Sequence, residues 1–365
     1  MIDELPYLVA ACPSLPSVLQ RWIDHDASKA RLVVALAGSS QRMMQGLVLD
    51  RSSPLFRRAQ EVFEVPPLAP EFLLEGFPDA GPVELVETFT AWGGVPRYWE
   101  LALSVPANSA AEQIDHLVLD PLGPLHQEPD RLLLEETPPA IELRPILDVI
   151  GAGVHRVSEI AGRIGRPATS MARSLERLHS LSLIEREVPF GESERKSRRA
   201  LYRIADPFLR LWFRVVAPHR SELAIVPRRS RGAILQRYWD ALLALGWEQL
   251  CRQQLPKLGA SSLLGDEAWG AAARWWQANE PELAEGLNRS RLLLGEAKWS
   301  ARPFDRKLLK KAALELAQRR APVLAGRYSR HEVVRVLLVP AITPQDDDGR
   351  RTIEGVCVLT AADLL

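Results

Sequence analysis

Short apolar runs that alternate with helical segments are the feature that most constrains the fold of this chain. Residues 32–37 (LVVALA) form a continuous apolar run that ends in Gly-Ser-Ser, and residues 62–65 form a second run that ends in two prolines. Residues 8–23 precede both runs and have the spacing of an amphipathic helix. Buried parallel strands have such uninterrupted apolar sequences. The alternation therefore predicts an α/β layer in the first part of the chain.

The size and composition are those of a folded protein with several domains. The chain has 365 residues, of which 47% are hydrophobic and 25% are charged. This length exceeds what one hydrophobic core usually serves, and the composition is far from that of disordered chains. No apolar run approaches the roughly 20 residues of a membrane helix, and the N-terminus lacks a basic segment followed by an apolar one. We therefore expect a cytoplasmic protein that has no membrane partner.

Charge is distributed unevenly along the chain. The formal net charge is zero, but residues 1–136 hold 20 Asp and Glu against 9 Lys and Arg, which gives them a net charge of −11 and leaves +11 for the remainder. A polyanionic partner would therefore bind the second part of the chain. Because the basic excess is almost all arginine, a GC-rich genome explains it equally well.

Residues 137–206 have the pattern of three helices followed by a hairpin. The third predicted helix, residues 169–181, repeats its apolar residues on one face and leaves Arg173 and Arg177 on the other. A turn that contains Gly165 and Pro167 precedes this helix, and a hairpin with a long basic tip follows it. This order predicts a winged helix-turn-helix, in which Arg173 and Arg177 would face a DNA groove. Four residues of the tip would meet the phosphate backbone, namely Arg195, Lys196, Arg198 and Arg199.

Residues 292–299 (LLLGEAKW) place a glutamate and a lysine at the end of an apolar strand. Glu296 and Lys298 are two positions apart, so they share one face of that strand. In metal-dependent nucleases such a carboxylate holds Mg²⁺, and the lysine stabilises the charge that develops during attack on phosphorus. The chemistry also needs an acidic residue on the preceding strand, but Glu280, Glu282 and Glu285 lie in a segment without strand character. A solvated, charged strand end is the simpler interpretation.

Asp3 and Glu4 follow the last apolar residues of a short strand. In nucleotide hydrolases an acidic pair at this place orients Mg²⁺ through its aspartate and polarises the attacking water through its glutamate. A phosphate-binding loop is missing, since no glycine of this chain is followed by lysine. Nucleotide binding then lacks its main source of free energy.

The order of these segments resembles the archaeal-type AAA+ ATPases, also described as STAND-like, that carry a winged helix and a C-terminal PD-(D/E)xK-like domain. IDELPYL at residues 2–8 looks like the Walker B segment of that family, and LVVALAGSS at residues 32–40 looks like its sensor 1 strand. GGVPRYW at residues 93–99 is similar to the lid motif. LIEREVP and YRIADPFLRLWFR, which begin at residues 183 and 202, are similar to the wing and the helix after it. LLLGEAKW looks like the nuclease-like strand.

The resemblance implies an α/β protein built from four domains. These are a residual AAA+ core with an incomplete P-loop NTPase sheet (1–69), a helical lid (70–136), a winged helix-turn-helix (137–213) and a restriction-endonuclease-like α/β domain (214–365). It also implies catalytic roles for Asp3, Glu4 and Ser39, with Asp3 as the metal-binding residue. SPLFRR at residues 53–58 is similar to the arginine-finger segment, which makes Arg57 or Arg58 the candidate. In the nuclease-like domain the resemblance implies Glu296 and Lys298, with Glu282 in place of the acidic residue of the preceding strand.

Two departures from the family limit these implications. Family members carry a phosphate-binding strand and helix before Walker B, and the segment after Arg274-Trp275-Trp276 is shortened where their acidic residue lies. We therefore expect a fragment of a longer protein or a misassigned start. ATP and Mg²⁺ are expected as cofactors of the full-length relative only, and we expect the present chain to hydrolyse no ATP.

Three functions follow from these expectations. The first is a fragment of an ATPase that couples ATP binding and hydrolysis to the engagement of DNA or of a partner protein. The second is a non-enzymatic winged-helix DNA-binding regulator. The third is a structural or antitoxin-like interaction protein, in which the ATPase remnant and the nuclease-like domain are both inert scaffolds. For the winged helix itself, a packing module between two domains is the alternative to DNA binding. The expected partners are double-stranded DNA, a second copy of the chain or another protein.

Overall fold

The computed structural model describes residues 1–136, 140–258, 264, 268–276, 282–285, 291–321, 324, 331–347, 349 and 351–365, with backbone only for 140–142 and 282–285. The chain is a mixed α/β protein in which about half of the residues are helical and the sheets are small. Within the described parts, none of the helices combines the length and the apolar character that crossing a membrane requires.

The first 69 residues form helices joined by extended segments. The helices are α1 (Leu5–Ala11), α2 (Leu15–His25) and α3 (Gln41–Val48). Ile2 and Leu36 form a single parallel bridge, held by hydrogen bonds from the Ile2 amide to the Ala35 carbonyl and from the Ala37 amide to the Ile2 carbonyl, both 2.8 Å long.

The strands predicted at residues 32–37 and 62–65 are wrong for this structure. Leu36 makes only the isolated bridge, and residues 62–65 are extended without any ladder. Val33 and Val65 are 95% and 90% exposed, and Phe63 is 78% exposed. An apolar run becomes a buried strand only where neighbouring strands and a covering layer are present. The predicted α/β layer is therefore reduced here to one bridge and three helices.

Residues 70–136 form a series of short helices. They are α4 (Leu73–Gly76), α5 (Pro82–Trp92), α6 (Pro96–Ser104), α7 (Ala110–Ile114) with a π-helical continuation (Asp115–Leu119), and α8 (Glu128–Glu136). Pro82 and Pro96 each begin a helix, where the missing N–H costs nothing. Gly93 ends α5 with a φ of 58°, a conformation that glycine adopts readily.

Three helices and an antiparallel hairpin follow, and we call residues 140–204 the three-helix–hairpin unit. It contains α9 (Ala140–Gly151), α10 (Val157–Ile164), α11 (Met171–Ser180), β1 (Ile184–Glu187) and β2 (Leu201–Ile204). Arg156, just before α10, forms an antiparallel bridge with Leu201 and so adds a third short segment to the hairpin. The helix predicted at residues 169–181 is present as α11, and α9 and α10 are the two helices that precede it.

A helical layer connects this unit to the C-terminal sheet. It comprises α12 (Pro207–Leu211), a π-helical continuation (Trp212–Val216), α13 (Ala217–Ile225) and the long α14 (Arg228–Gln254). Trp212 is fully buried and donates its indole N–H to the His126 carbonyl at 2.8 Å. One hydrophobic core runs from Leu73 to Leu364 and includes residues of the short helices, the three-helix–hairpin unit and the sheet.

The C-terminal sheet has six strands in the order β3-β4-β5-β6-β8-β7. Its elements are β3 (Ala273–Arg274), β4 (Glu282–Glu285), β5 (Arg291–Ala297), α15 (Arg306–Gln318), β6 (Glu332–Leu338), β7 (Thr352–Ile353), β8 (Val356–Leu359) and α16 (Ala361–Leu364). The central strands β5, β6 and β8 are parallel, and the outer strands are antiparallel to their neighbours. The predicted strand that begins at residue 292 is confirmed as β5, whereas β4 contradicts the prediction that Glu282 and Glu285 lack strand character, and Glu280 lies outside the described residues.

The two faces of this sheet are covered by different helices. Leu293 of β5 belongs to the main core, which includes α14, while Leu292 and Leu294 belong to a second core beneath α15. Alternating burial of this kind follows from the two-residue period of a strand. The sheet therefore has an inner face toward α14 and an outer face toward α15.

Candidate nucleic-acid interface

Helix α11 separates apolar and polar residues cleanly. Met171, Leu175 and Leu178 are buried and anchor the helix in the main core. Arg173 projects from the other face, is exposed and makes no hydrogen bond or ion pair with the described residues. Arg177 is half-buried and is engaged within the protein. Of the two predicted groove-facing arginines, Arg173 is thus the one available to a ligand.

The hairpin loop, residues 188–200, carries the second set of predicted DNA-contacting residues. Arg195, Lys196 and Arg198 are exposed, and their side chains form no polar contact with the parts of the chain that the structure describes. Arg199 differs, because its guanidinium lies 2.8 Å from the Glu192 carboxylate. The loop thus presents three available cations.

Arg186 of β1 organises this loop from within. Its guanidinium donates to the carbonyl of Glu194 and, at 3.0 Å, to the carbonyl of Ser197. Ser197 in turn donates its hydroxyl to Glu192 at 2.6 Å. These contacts bridge the loop internally and leave its outward cations free to meet an anion.

The base of the hairpin is fixed to the C-terminal part of the chain. The Phe190 amide donates to the Arg274 carbonyl of β3 at 2.8 Å. Glu187 of β1 lies 2.7 Å from Arg203, and 3.5 Å from both Arg252 and Arg274. The last two arginines also pair with Glu248 of α14, at 2.8 Å and 2.6 Å. We call these five residues, Glu187, Arg203, Glu248, Arg252 and Arg274, the hairpin anchor. The sequence does not predict this cluster, because no local pattern pairs residues so far apart in the chain.

His155 lies next to the hairpin anchor and stays neutral. Withdrawal of the imidazole from water and the nearby positive charge of Arg203 lower the pKa of His155 to about 4. A neutral ring can donate from Nδ1 to the Tyr202 carbonyl, which is 3.0 Å away. His155 therefore adds a hydrogen bond to the hairpin without adding charge.

The structure brings together part of the predicted nucleotide site. Ser39 donates its hydroxyl to a carboxylate oxygen of Glu4 at 3.1 Å, and Asp3 accepts a hydrogen bond from the Glu4 amide at 2.9 Å. The bridge between Ile2 and Leu36 makes this contact possible, because it sets the two chain segments side by side. Asp3, Glu4 and Ser39 therefore lie at one end of the paired segments.

The predicted arginine fingers lie elsewhere. Arg58 forms a two-pronged ion pair with Asp24, with both N···O distances 2.9 Å, and donates to the Pro54 carbonyl. The same guanidinium holds the pKa of the Asp24 carboxyl below its ordinary value. Arg57 lies over the ring of Phe56, 5.2 Å from its centre. Arg58 is thus committed to a neighbouring helix, and Arg57 packs locally.

Two of the predicted nuclease-like residues, Glu296 and Lys298, lie on the outer face of the C-terminal sheet. Lys298 Nζ is 3.5 Å from Glu296 and 2.8 Å from Glu315 of α15, while Arg319 lies 3.3 Å from the other oxygen of Glu296. The pKa of Glu315 is lowered by its hydrogen bond from Lys298. The backbone of Glu282 pairs with Gly295, next to Glu296, and its side chain lies outside the described residues. Among the residues that are described, no three or more His, Cys, Asp or Glu side chains form a metal-binding group.

Comparison with known proteins finds a family model that matches part of the chain and one relative that matches most of it. Residues 212–313 match the model of a family described as DUF234, archaeal and bacterial proteins of unknown function. This segment includes α14, β5 and most of α15. An uncharacterized protein of Methanocaldococcus jannaschii is 29% identical over 307 residues, which cover 82% of the present chain and 67% of that protein. No solved structure matches the chain.

Proposed function

We propose that this protein binds duplex DNA through α11 and the hairpin loop. The observation that carries the proposal is that α11 and the hairpin loop expose four cations whose side chains form no hydrogen bond or ion pair with the described residues: Arg173, Arg195, Lys196 and Arg198. The order of the unit, with a tight turn between α10 and α11 and a hairpin after α11, supports the proposal because a winged helix-turn-helix has its elements in this order. In such a unit the second helix of the turn enters the major groove and flanking residues meet the phosphates.

The free cations favour binding because they break no internal contact when they meet phosphate. Each phosphate that a lysine or arginine neutralises releases condensed counterions, so the logarithm of the affinity falls by about 0.9 per contact and per tenfold rise in salt. Four contacts therefore predict a slope of about −3.6, which is roughly a 100-fold loss of affinity between 50 and 200 mM salt.

The alternative role of the three-helix–hairpin unit, as a packing module between two domains, explains its buried contacts but not its exposed cations. The hairpin anchor and the buried residues of α11 do connect the unit to the rest of the molecule. Packing alone requires no cations on the opposite, solvent-facing side. The exposed set on α11 and the loop is therefore what favours a DNA-binding role over a purely structural one.

The test is a salt titration of duplex DNA binding by fluorescence anisotropy. We expect Arg173→Ala to reduce the salt slope by about 1, and the triple change Arg195→Ala, Lys196→Ala and Arg198→Ala to reduce it by about 3. Arg97→Ala is the matched control, because Arg97 is exposed on α6 and already paired with Glu100 at 2.9 Å. Equal slopes for wild type and all variants, or no binding at low salt, would refute the proposal.

A second candidate is a remnant of a nucleotide-hydrolysing site, favoured by the contact between Ser39 and Glu4. In a longer relative, Asp3 would hold Mg²⁺, Glu4 would orient the attacking water, and Ser39 would sit beside it. The residues of the present chain do not fit ATP, because it has no glycine followed by lysine to cradle the phosphates. No hydrolytic step is therefore assigned to this chain itself.

A further inference from the structure

We propose that the outward face of α15 and the hairpin loop form one cationic surface that follows the phosphate backbone of a single DNA duplex. The inference rests on the proposed function, since it adds a second contact region to the same interface. We call this surface, formed by α15 and residues 188–200, the composite surface.

Helix α15 has the charge pattern of a phosphate-binding helix. Its buried residues, Leu309, Ala312, Ala313 and Leu316, pack onto the sheet as part of the second core. The remaining positions carry four cations, Arg306, Lys307, Lys310 and Lys311, against one carboxylate, Glu315. The outward face of α15 is therefore strongly basic.

Lys307 and Lys311 are two cations of α15 that are available to a ligand. They are one helical turn apart and exposed, and neither forms a hydrogen bond or ion pair with the described residues. Lys310 is 3.5 Å from Glu354, and the Arg306 amide donates to Asp346. Glu354 thus pairs with Lys310, whereas Asp346 meets only the backbone of Arg306, and the side chains of Lys307 and Lys311 remain exposed to solvent.

The hairpin loop leaves the protein on the side of the sheet that α15 covers. Phe190, the residue before the exposed part of the loop, packs against the second core together with Trp275. The hydrogen bond from Phe190 to Arg274 sets this point beside the edge strand β3. Helix α15 packs against β6, β8 and β7, which lie three to five strands away from β3 in the sheet order. At a strand spacing of roughly 4.8 Å, that separation is about 14–24 Å. One turn of duplex, about 34 Å long, can therefore contact both regions.

The hairpin anchor makes the two regions act together. Glu187 and Glu248 hold three arginines from β2, α14 and β3, so the hairpin cannot turn away from the sheet without exposing unpaired charge. Surfaces that are already positioned bind with less loss of conformational entropy than surfaces that must be ordered. The first 136 residues, with their net charge of −11, do not attract a polyanion.

The experiment compares the salt dependence of duplex binding by the full chain and by Lys307→Gln/Lys311→Gln. We expect the slope of log affinity against log salt to become shallower by about 2 in this variant, because two phosphate contacts are lost. Lys307→Arg/Lys311→Arg should keep the wild-type slope. The matched control is Arg97→Gln/Lys257→Gln, which removes the same charge from residues that are already paired with Glu100 and Glu71. Thermal unfolding of each variant establishes that the chain is folded.

Duplex length separates this inference from the proposed function. A duplex of about 20 base pairs spans two helical turns, whereas a hairpin of about 5 base pairs spans half a turn and cannot reach both regions. We expect Lys307→Gln/Lys311→Gln to matter only for the longer duplex. An unchanged slope there, together with a reduced slope for the hairpin-loop triple variant, would overturn the inference and leave the proposed function standing. A reduced salt slope of Lys307→Gln/Lys311→Gln on single-stranded RNA but not on duplex DNA would also overturn the inference. If the wild-type protein binds no duplex DNA, both the inference and the proposed function are refuted.

Discussion

At Gly246 the long helix α14 lies against α5 with no room for a side chain. A Cβ at this position would be 2.0 Å from Thr90 Oγ1 and 2.9 Å from Thr90 Cβ. Overpacking of this kind costs about 1–3 kcal/mol, since backbone must move to relieve it. We therefore expect Gly246→Ala to lower the free energy of unfolding by that amount, measured by urea denaturation.

Gly232 is the matched control on the same helix. A Cβ there meets nothing within 4 Å, so Gly232→Ala gains helix propensity without a clash. We expect it to raise the free energy of unfolding by up to about 1 kcal/mol. Destabilisation of similar size by both substitutions would show that the contact with Thr90 does not set the cost.

Asp206 gives the stability of the protein a dependence on pH. Its carboxylate caps α12 by accepting from the Leu209 amide at 2.8 Å, and withdrawal from water raises its pKa from 3.8 to about 6. A raised pKa means that the folded state holds the proton more tightly, so this contribution is complete below about pH 4 and is lost as pH rises through about 6. The group therefore favours the folded state more at the acidic end of this window.

Asp206→Asn tests this, because asparagine also caps helices but does not titrate. We expect wild type to lose stability relative to the variant by about 1–3 kcal/mol between about pH 4 and pH 7. Urea denaturation of both proteins at the two pH values measures that difference. A constant difference across the window would contradict the assignment.

At the scale of elements, the hairpin anchor makes the attachment of β1 depend on one carboxylate. The Glu187 side chain is 15% exposed and faces three arginines. Glu187→Gln leaves these cations short of a counter-charge in a largely buried place, and such losses cost about 3 kcal/mol. We expect a drop of that size in the free energy of unfolding. Glu192→Gln, which removes a more exposed partner of Arg199, should cost less than about 1 kcal/mol, and equal effects would refute the special role of the anchor.

Elements with local signals could be predicted, and elements that depend on distant partners could not. The exposure of Arg173 follows from the spacing of Met171, Leu175 and Leu178, which is a property of α11 alone. The strand β4 was missed because its sequence, ELAE, has no apolar run, and its pairing with β5 defines it. Conversely, Val62–Val65 has a strand-like sequence but finds no neighbouring strand.

The same distinction applies to the candidate site. The basic loop and the charged residues at the end of β5 are visible in the sequence, since their signals are composition and two-residue spacing. Their surroundings are not, because Glu187 draws its partners from positions 203, 252 and 274, and Lys298 draws Glu315 from a following helix. Sequence patterns therefore located the charged groups, and the three-dimensional structure determined which of them are free.

At the scale of the whole molecule, we expect this chain to bind duplex DNA but not Mg-ATP. In P-loop nucleotide hydrolases, nucleotide affinity comes from backbone N–H groups at a helix N-terminus and from a lysine on the phosphates. No glycine here is followed by lysine, and the segment with Asp3 and Glu4 lies in a region of net charge −11 that repels a polyphosphate.

Thermal unfolding with each ligand measures this difference. A ligand present at 100 times its Kd stabilises the folded state by about 2.7 kcal/mol, which raises the Tm by several degrees. We expect duplex DNA at low salt to produce such a shift, and Mg-ATP at about 1 mM to leave the Tm unchanged for wild type and Glu4→Gln alike. A rise of several degrees with Mg-ATP that Glu4→Gln alters, or phosphate release above the protein-free rate, would contradict this expectation. Because both ligands are polyanions, a shift with DNA alone would show that the surface which presents the cations, and not net charge, decides which of them binds.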